Sequence, residues 1–164
     1  MRYLFLVTAG MLMAVSSFFA LSGDFDTRIP GFIRFGETKT IIIPELQNVC
    51  TIDTIKEHQQ VQLPTVQISQ TQIDCSGFLY AGKTRKAEFI FSDNKLDLVR
   101  IITEAGEEQN FIIAYSQTYG EPSHKKNDIT FFMKDGIGVS SNPSEILLIS
   151  DRLKEPFRLW LESE

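Results

Sequence analysis

Two cysteines, Cys50 and Cys75, are the residues of this chain with the widest choice of chemistry. Cys75 lies in "TQIDCSGFLYAGKTRKAEFIF", Thr71 to Phe91, beside Ser76 and ahead of three basic residues. A cysteine in such a setting is a nucleophile, a metal ligand or half of a disulfide. A nucleophile needs an activating base, and the histidines on offer are His58, in a polar run, and His124, in "EPSHKKND". Both read as solvated loop histidines. The Cys50/Cys75 spacing is neither C-x-x-C nor a zinc-finger pattern, which disfavours redox catalysis and zinc. The G-x-S-x-G elbow and the H-E-x-x-H zinc motif are both missing from the sequence. Glu107 and Glu108 are neighbours on a predicted helix and do not face each other; their place is the helix N-terminus, where the dipole favours acids. No catalytic residue, cofactor or metal ligand is therefore named, and an enzymatic reading survives only as a hydrolase or transferase built from scattered Asp, Glu and Ser residues.

The N-terminus decides among the cysteine chemistries. "MRYLFLVTAGMLMAVSSFFALSGDFD" carries Arg2, then an uncharged apolar run from Tyr3 to Ala20, then small residues, and its first acid at Asp24. That is the layout of a secretory signal, with the cut expected after Ser22. The alternative is an uncleaved anchor, because the run approaches the roughly 18 residues of a membrane span. Residues 1–22 are thus read as signal and 23–164 as one domain. In an exported protein, two cysteines are most simply one disulfide. Closing that loop is worth about 3 kcal/mol in the chain-entropy model, and serine substitution at either position is expected to cost the same.

The chain has a formal net charge of −5 and no basic arm, which disfavours binding to nucleic acid or an anionic membrane surface. Contact with a membrane is expected only through an uncleaved N-terminus. Lys83, Arg85 and Lys86 bracket a predicted turn, where solvated charges are the ordinary outcome. Phe78 and Tyr80 alternate with Leu79, and Phe131 and Phe132 are adjacent and must point to opposite faces. Phe78, Tyr80, Phe132, Lys83, Arg85 and Lys86 are the candidate partner surface.

The elements that position these residues are clearest in mid-chain. "IDCSGFLY", "TRKAEFIF" and "LDLVRIIT" alternate as strands around an Ala-Gly-Lys and a Ser-Asp-Asn-Lys turn, predicting a three-stranded antiparallel meander. "GEEQNFIIAYSQTYGEP" repeats Phe111, Ile112, Tyr115 and Tyr119 at helical spacing and ends at Gly120 and Pro122. "DITFFMKDGIGVS" reads as a hairpin and "SEILLIS" as a strand. "FIRFGETKTIII" reads as a further hairpin ended by Pro44, "CTIDTIKEHQQ" as a short helix, and "TVQIS" as a half-buried strand. In the tail, Leu153, Phe157, Trp160 and Leu161 share helical spacing, but Pro156 restricts the element to a short helix beginning near it or an edge strand. Trp160 is expected to anchor that tail on the core. The order predicts an α+β fold: a mostly antiparallel sheet with one principal helix packed on one face, stapled by one disulfide. Any second apolar sheet face is expected to be packed by the N-terminal segment or to serve a partner.

The run of strands, the helix ending "YGEP" and the following "ITFFMKDGIGV" resemble small exported bacterial modules. They are similar to outer-membrane assembly lipoproteins of the SmpA/OmlA kind and to the β-lactamase-inhibitor-protein-like fold. The likeness covers Ala105 to Val139; Gly120 and Pro122 are the positions it carries over, as structural residues. The chain departs from those lipoproteins in having no lipid-attachment cysteine. The resemblance implies a non-enzymatic binding or assembly role at the cell envelope. The expectation is an inhibitor-like or accessory protein of the periplasm, or secreted, in a Gram-negative bacterium, with another envelope protein as partner. A membrane-anchored accessory domain is the alternative if the leader is retained.

Overall fold

The computed structural model describes residues 25–58 and 63–163. The segment read as a leader, with its expected cut after Ser22, and residues 59–62 of the Gln-rich run lie outside the described residues. The elements are α1 (Lys39–Val49), β1 (Thr51–His58), β2 (Gln70–Tyr80), β3 (Lys83–Ser92), β4 (Lys95–Ile102), α2 (Glu108–Tyr119), β5 (His124–Lys126), β6 (Ile129–Phe132), β7 (Ile137–Ser141), β8 (Ser144–Ile149) and α3 (Asp151–Glu162). Every strand joins one antiparallel sheet of order β1-β2-β3-β4-β8-β7-β6-β5. One helix followed by four strands occurs twice, α1 to β4 and α2 to β8. The sheet order maps onto itself when the halves are exchanged, and the halves meet where β4 pairs with β8.

The meander forms as its turns dictate. Ala81 and Gly82, and then Asp93 and Asn94, all take positive φ, the backbone that two-residue hairpins of the right twist require. Strand alternation then sends Ile73, Cys75, Ala87, Phe89, Phe91, Val99 and Ile101 to one face, where Ile42 and Leu46 of α1 and Phe111 and Tyr115 of α2 cover them. The disulfide joins Cys50, just past α1, to Cys75 on β2 with Cα atoms 5.9 Å apart. It fastens the first helix to the sheet.

A second apolar cluster occupies the opposite face. Ile90, Leu98, Phe131, Leu147 and Ile149 pack there under Leu153 and Leu161 of α3, with Phe157 against them. Gly138 makes room for this layer: a β-carbon on it would stand 2.6 Å from the Phe131 ring. The α+β class, the antiparallel sheet and the disulfide agree with the sequence reading, but helices pack on both faces instead of one. The second apolar face is covered by α3, not by the N-terminal segment.

Four local expectations are corrected. Phe32 to Ile43 is no hairpin; Ile42 and Leu46 stand one turn apart and bury completely, and α1 runs through Pro44 although that residue removes one helix hydrogen bond. Thr51 to His58 is strand β1 rather than a helix, in keeping with its four β-branched residues, Thr51, Ile52, Thr54 and Ile55. The segment 65–69 is a loop, not a strand: the Asp93 carboxylate accepts the amides of Gln67, Ile68 and Ser69, which a strand would have paired with a neighbour. The tail is helical from Asp151, with Pro156 inside it. Leu153 and Leu161 anchor it, while Trp160 is 48% exposed.

Candidate binding face of the sheet

The second face is divided by chemistry. One row across the sheet runs Thr54, Asp74, Glu88, Arg100, Leu147, Gly138, Phe131. It is polar on β1 to β4 and apolar on β8 to β6, where α3 lies. A parallel row, Lys56, Gln72, Ile90, Leu98, Ile149, changes character two strands earlier. Where the row turns apolar it is roofed by a helix; where it is polar it stays open.

The open half is a network of paired charges. Asp74 accepts from Thr54 Oγ1 at 2.6 Å, from Gln72 Nε2 at 2.6 Å and from Lys56 Nζ. Burial works against its charge, yet these three donors together hold its carboxyl down at about 2. Arg100 bridges two acids, donating through Nη1 to Glu88 at 2.8 Å and through Nη2 and Nε to Glu145 at 2.6 and 2.9 Å. Burial nevertheless pushes the Glu145 carboxyl up. Ser76 donates to Asp53 at 3.0 Å. Lys86 is exposed and makes no hydrogen bond or ion pair among the described residues. Asp53, Asp74, Ser76, Lys86 and Glu88 border a hollow of about 490 Å³. The arrangement presents ordered donors and acceptors across five strands, β1 to β4 and β8.

Of the candidate partner surface, Lys86 alone stands on this open half. Phe78, Tyr80 and Phe132 are buried in the first core and expose no contact area. For the two residues of β2 the cause is a bulge between Cys75 and Phe78, where Gly77 takes a φ of +77°. An extra residue in the strand resets the alternation, so Phe78 and Tyr80 turn inward and Leu79 is left 66% exposed. The Tyr80 and Tyr115 hydroxyls are 2.6 Å apart, and Tyr80 donates to Thr27 O at 2.8 Å; burial raises both phenols above their ordinary range.

Arg85 and Lys83 are not solvated turn charges either. Arg85 is buried, donates to both Glu107 oxygens at 2.7 and 3.1 Å and to Tyr80 O at 3.1 Å, and lies 5.3 Å from the Phe111 ring centre. Lys83 pairs with Glu104 and Glu107. Glu107 therefore serves an ion pair that joins α2 to β3, beyond any role in the helix dipole.

His124 is also placed on an element, β5, rather than in a solvated loop. Its Nδ1 stands 2.8 Å from Ser123 Oγ and its Nε2 3.3 Å from Glu162 Oε1. The order serine, histidine, acid suggests a hydrolytic triad, but the serine oxygen already accepts the Met133 amide at 3.0 Å and faces Phe131 O at 3.2 Å. Together with Lys126, which donates to Trp160 O, the three residues fasten the end of α3 to β5. Among the described residues, no group of three or more His, Cys, Asp and Glu side chains is placed to hold a metal ion.

Sequence reasoning passed over Asp74, Glu88, Arg100 and Glu145. The signal was present: Lys86 and Glu88 alternate with Ala87 and Phe89, and Arg100 interrupts the apolar run "LVRII". These are charges that a two-sided strand puts on its open face.

The fold and this face define an α+β domain of two helix-plus-four-strand halves with one partly open sheet face. The chain belongs to a family whose model, described as "Uncharacterised protein", matches residues 33–143, more than half of its length. No curated protein and no solved structure matches it.

Proposed function

We propose that the protein is an exported, non-enzymatic binding protein of the Gram-negative envelope, inhibitor-like or an assembly accessory, which acts by protein contact on the open half of its sheet. The observation that carries this reading is the division of the second face. An apolar half needs a cover and has α3; the polar half on β1 to β4 has its charges, Lys86 apart, ordered by one another and, among the described residues, no helix over them. A surface whose side chains are already fixed loses less entropy when a partner docks. The leader-like N-terminus supports export, as does the disulfide, which belongs to oxidising compartments. The resemblance to envelope assembly modules and inhibitor-protein folds points the same way. The hydrolase alternative loses its best geometric candidate, because the Ser123 hydroxyl is tied to the end of β6 through Phe131 O and the Met133 amide.

A photo-crosslinking side chain introduced at Lys86 in cells, with one at Glu45 on the outer side of α1 as control, tests the reading. The expected result is a discrete protein adduct from position 86 and none from position 45. No adduct at 86, or equal adducts at both positions, would count against the open face as the contact surface.

A further inference from the structure

The sheet ends in two unlike edges. On one side β5 is three residues long, and the end of α3 is fastened to it through Lys126 and His124. On the other side β1 runs for eight residues, about 27 Å, with β2 as its one neighbour in the sheet. Among the described residues, no main-chain group from Thr51 to His58 bonds to anything but β2. An open edge is ordinarily blunted by charged side chains that stand over it. Here they are folded back. Lys56 and Thr54 donate to Asp74 on β2, and Glu57 accepts from Thr71 on β2 at 2.8 Å and from Lys39 of α1 at 3.0 Å. The first core also stops short at this edge: Ile73 on β2 is fully buried, while Ile55 opposite it is 53% exposed. Asp53, at the bulge of β1, accepts from Ser76 and has no oppositely charged partner among the described residues.

We propose that β1 is a strand-addition site: an extended segment of a partner polypeptide pairs with its outer edge as one further strand, with an apolar residue beside Ile55 and a basic one beside Asp53. The chemistry of the edge selects this occupant. A row of free N–H and C=O groups is matched by another extended backbone and not by a helix, whose own groups are satisfied internally. The same addition covers Ile55 and gives Asp53 a counter-ion. Charge argues against a second copy in that place. Antiparallel pairing of two β1 strands about Thr54 sets Ile55 against Asp53, pairing about Ile55 brings Glu57 to Asp53, and pairing about Lys56 sets that lysine against itself. Like charges directly opposite are destabilising. The bulge at Asp53 pins the register that an added strand can take, which favours a particular sequence over unselective pairing. The inference needs the edge of β1 and not the open half of the sheet, so the two readings fail separately.

A photo-crosslinking side chain at Ile55 in cells, with one at Glu45 as control, finds the segment, and a synthetic peptide of the cross-linked sequence tests how it binds. The amide nitrogens of that peptide are methylated in two alternate sets. Successive residues of a strand turn their main-chain groups to opposite sides. One set is therefore expected to weaken binding to the protein purified from cells at least about tenfold, and the other to leave it within about twofold. Hydrogen exchange at alternate amides of Thr51–His58 is expected to slow when the peptide binds. No adduct from position 55 beyond that from 45, a peptide equally sensitive or equally indifferent to both sets, or β1 amides that exchange as before would each overturn the proposal. An adduct from Lys86 without one from Ile55 would do the same and leave the open-face reading standing; the reverse would remove that reading and keep this one.

Discussion

Replacing Glu107 by alanine is expected to destabilise the protein by about 3 to 5 kcal/mol, the range for stranding one partner of a buried ion pair. The Arg85 guanidinium is 3% exposed and Glu107 13%, so the arginine left behind cannot recover its hydration. Arg85→Ala removes the more deeply buried charge and is expected to cost less, because the remaining carboxylate keeps Lys83. The same pair sets a pH dependence. Hydrogen bonds from Arg85, ahead of an opposing burial effect, hold the Glu107 carboxyl at about 2 against an ordinary 4.5. A carboxyl lowered in the folded state contributes stability above its unfolded value and loses it as pH falls through the folded one. The stability advantage of the native protein over Glu107→Gln is therefore expected at neutral pH and to shrink between pH 4.5 and about 2. Urea unfolding across that range measures it. A difference that does not change with pH would contradict the ion-pair role.

Loss of the disulfide is the second large effect. It closes a separation of 25 residues, worth about 3 kcal/mol by the chain-entropy relation, and it ties α1 to the sheet. Sequence alone gives both serine variants equal costs. Burial separates them: Cys75 is 1% exposed in the first core, and a serine hydroxyl there adds about 1 to 3 kcal/mol if unsatisfied. Cys75→Ser is thus expected to unfold at lower urea than Cys50→Ser, with Cys75→Ala near the latter. Equal midpoints for the two serine variants would place position 75 in a wetter setting than the structure gives it.

What could be read from the sequence follows how local each signal is. The hairpin at Asp93-Asn94, helix α2 with its Gly120 end and the strand 144–149 are written in turn residues and periodicity. Helix α1 was hidden because Pro44 argues against a helix interior, and only Ile42 and Leu46 finding the sheet overrides it. The Gly77 bulge was hidden for a similar reason: a one-residue insertion is visible only once β3 supplies the register, and it reversed the orientation of Phe78 and Tyr80. The open face was the least legible part. Asp74, Glu88 and Arg100 come from three strands, and nothing local says that their partners are one another.

Acylation of lysines by a reagent that crosses the outer but not the inner membrane, compared between intact cells and the purified protein, tests the central claim most directly. The account predicts that Lys95 and Lys125 react to the same extent in both settings, which requires the protein to lie outside the cytoplasm, and that Lys86 is protected in cells by a bound partner. Lys86 reacting in cells as it does when purified, or no lysine reacting in cells at all, would contradict an exported protein that works through the open half of its sheet.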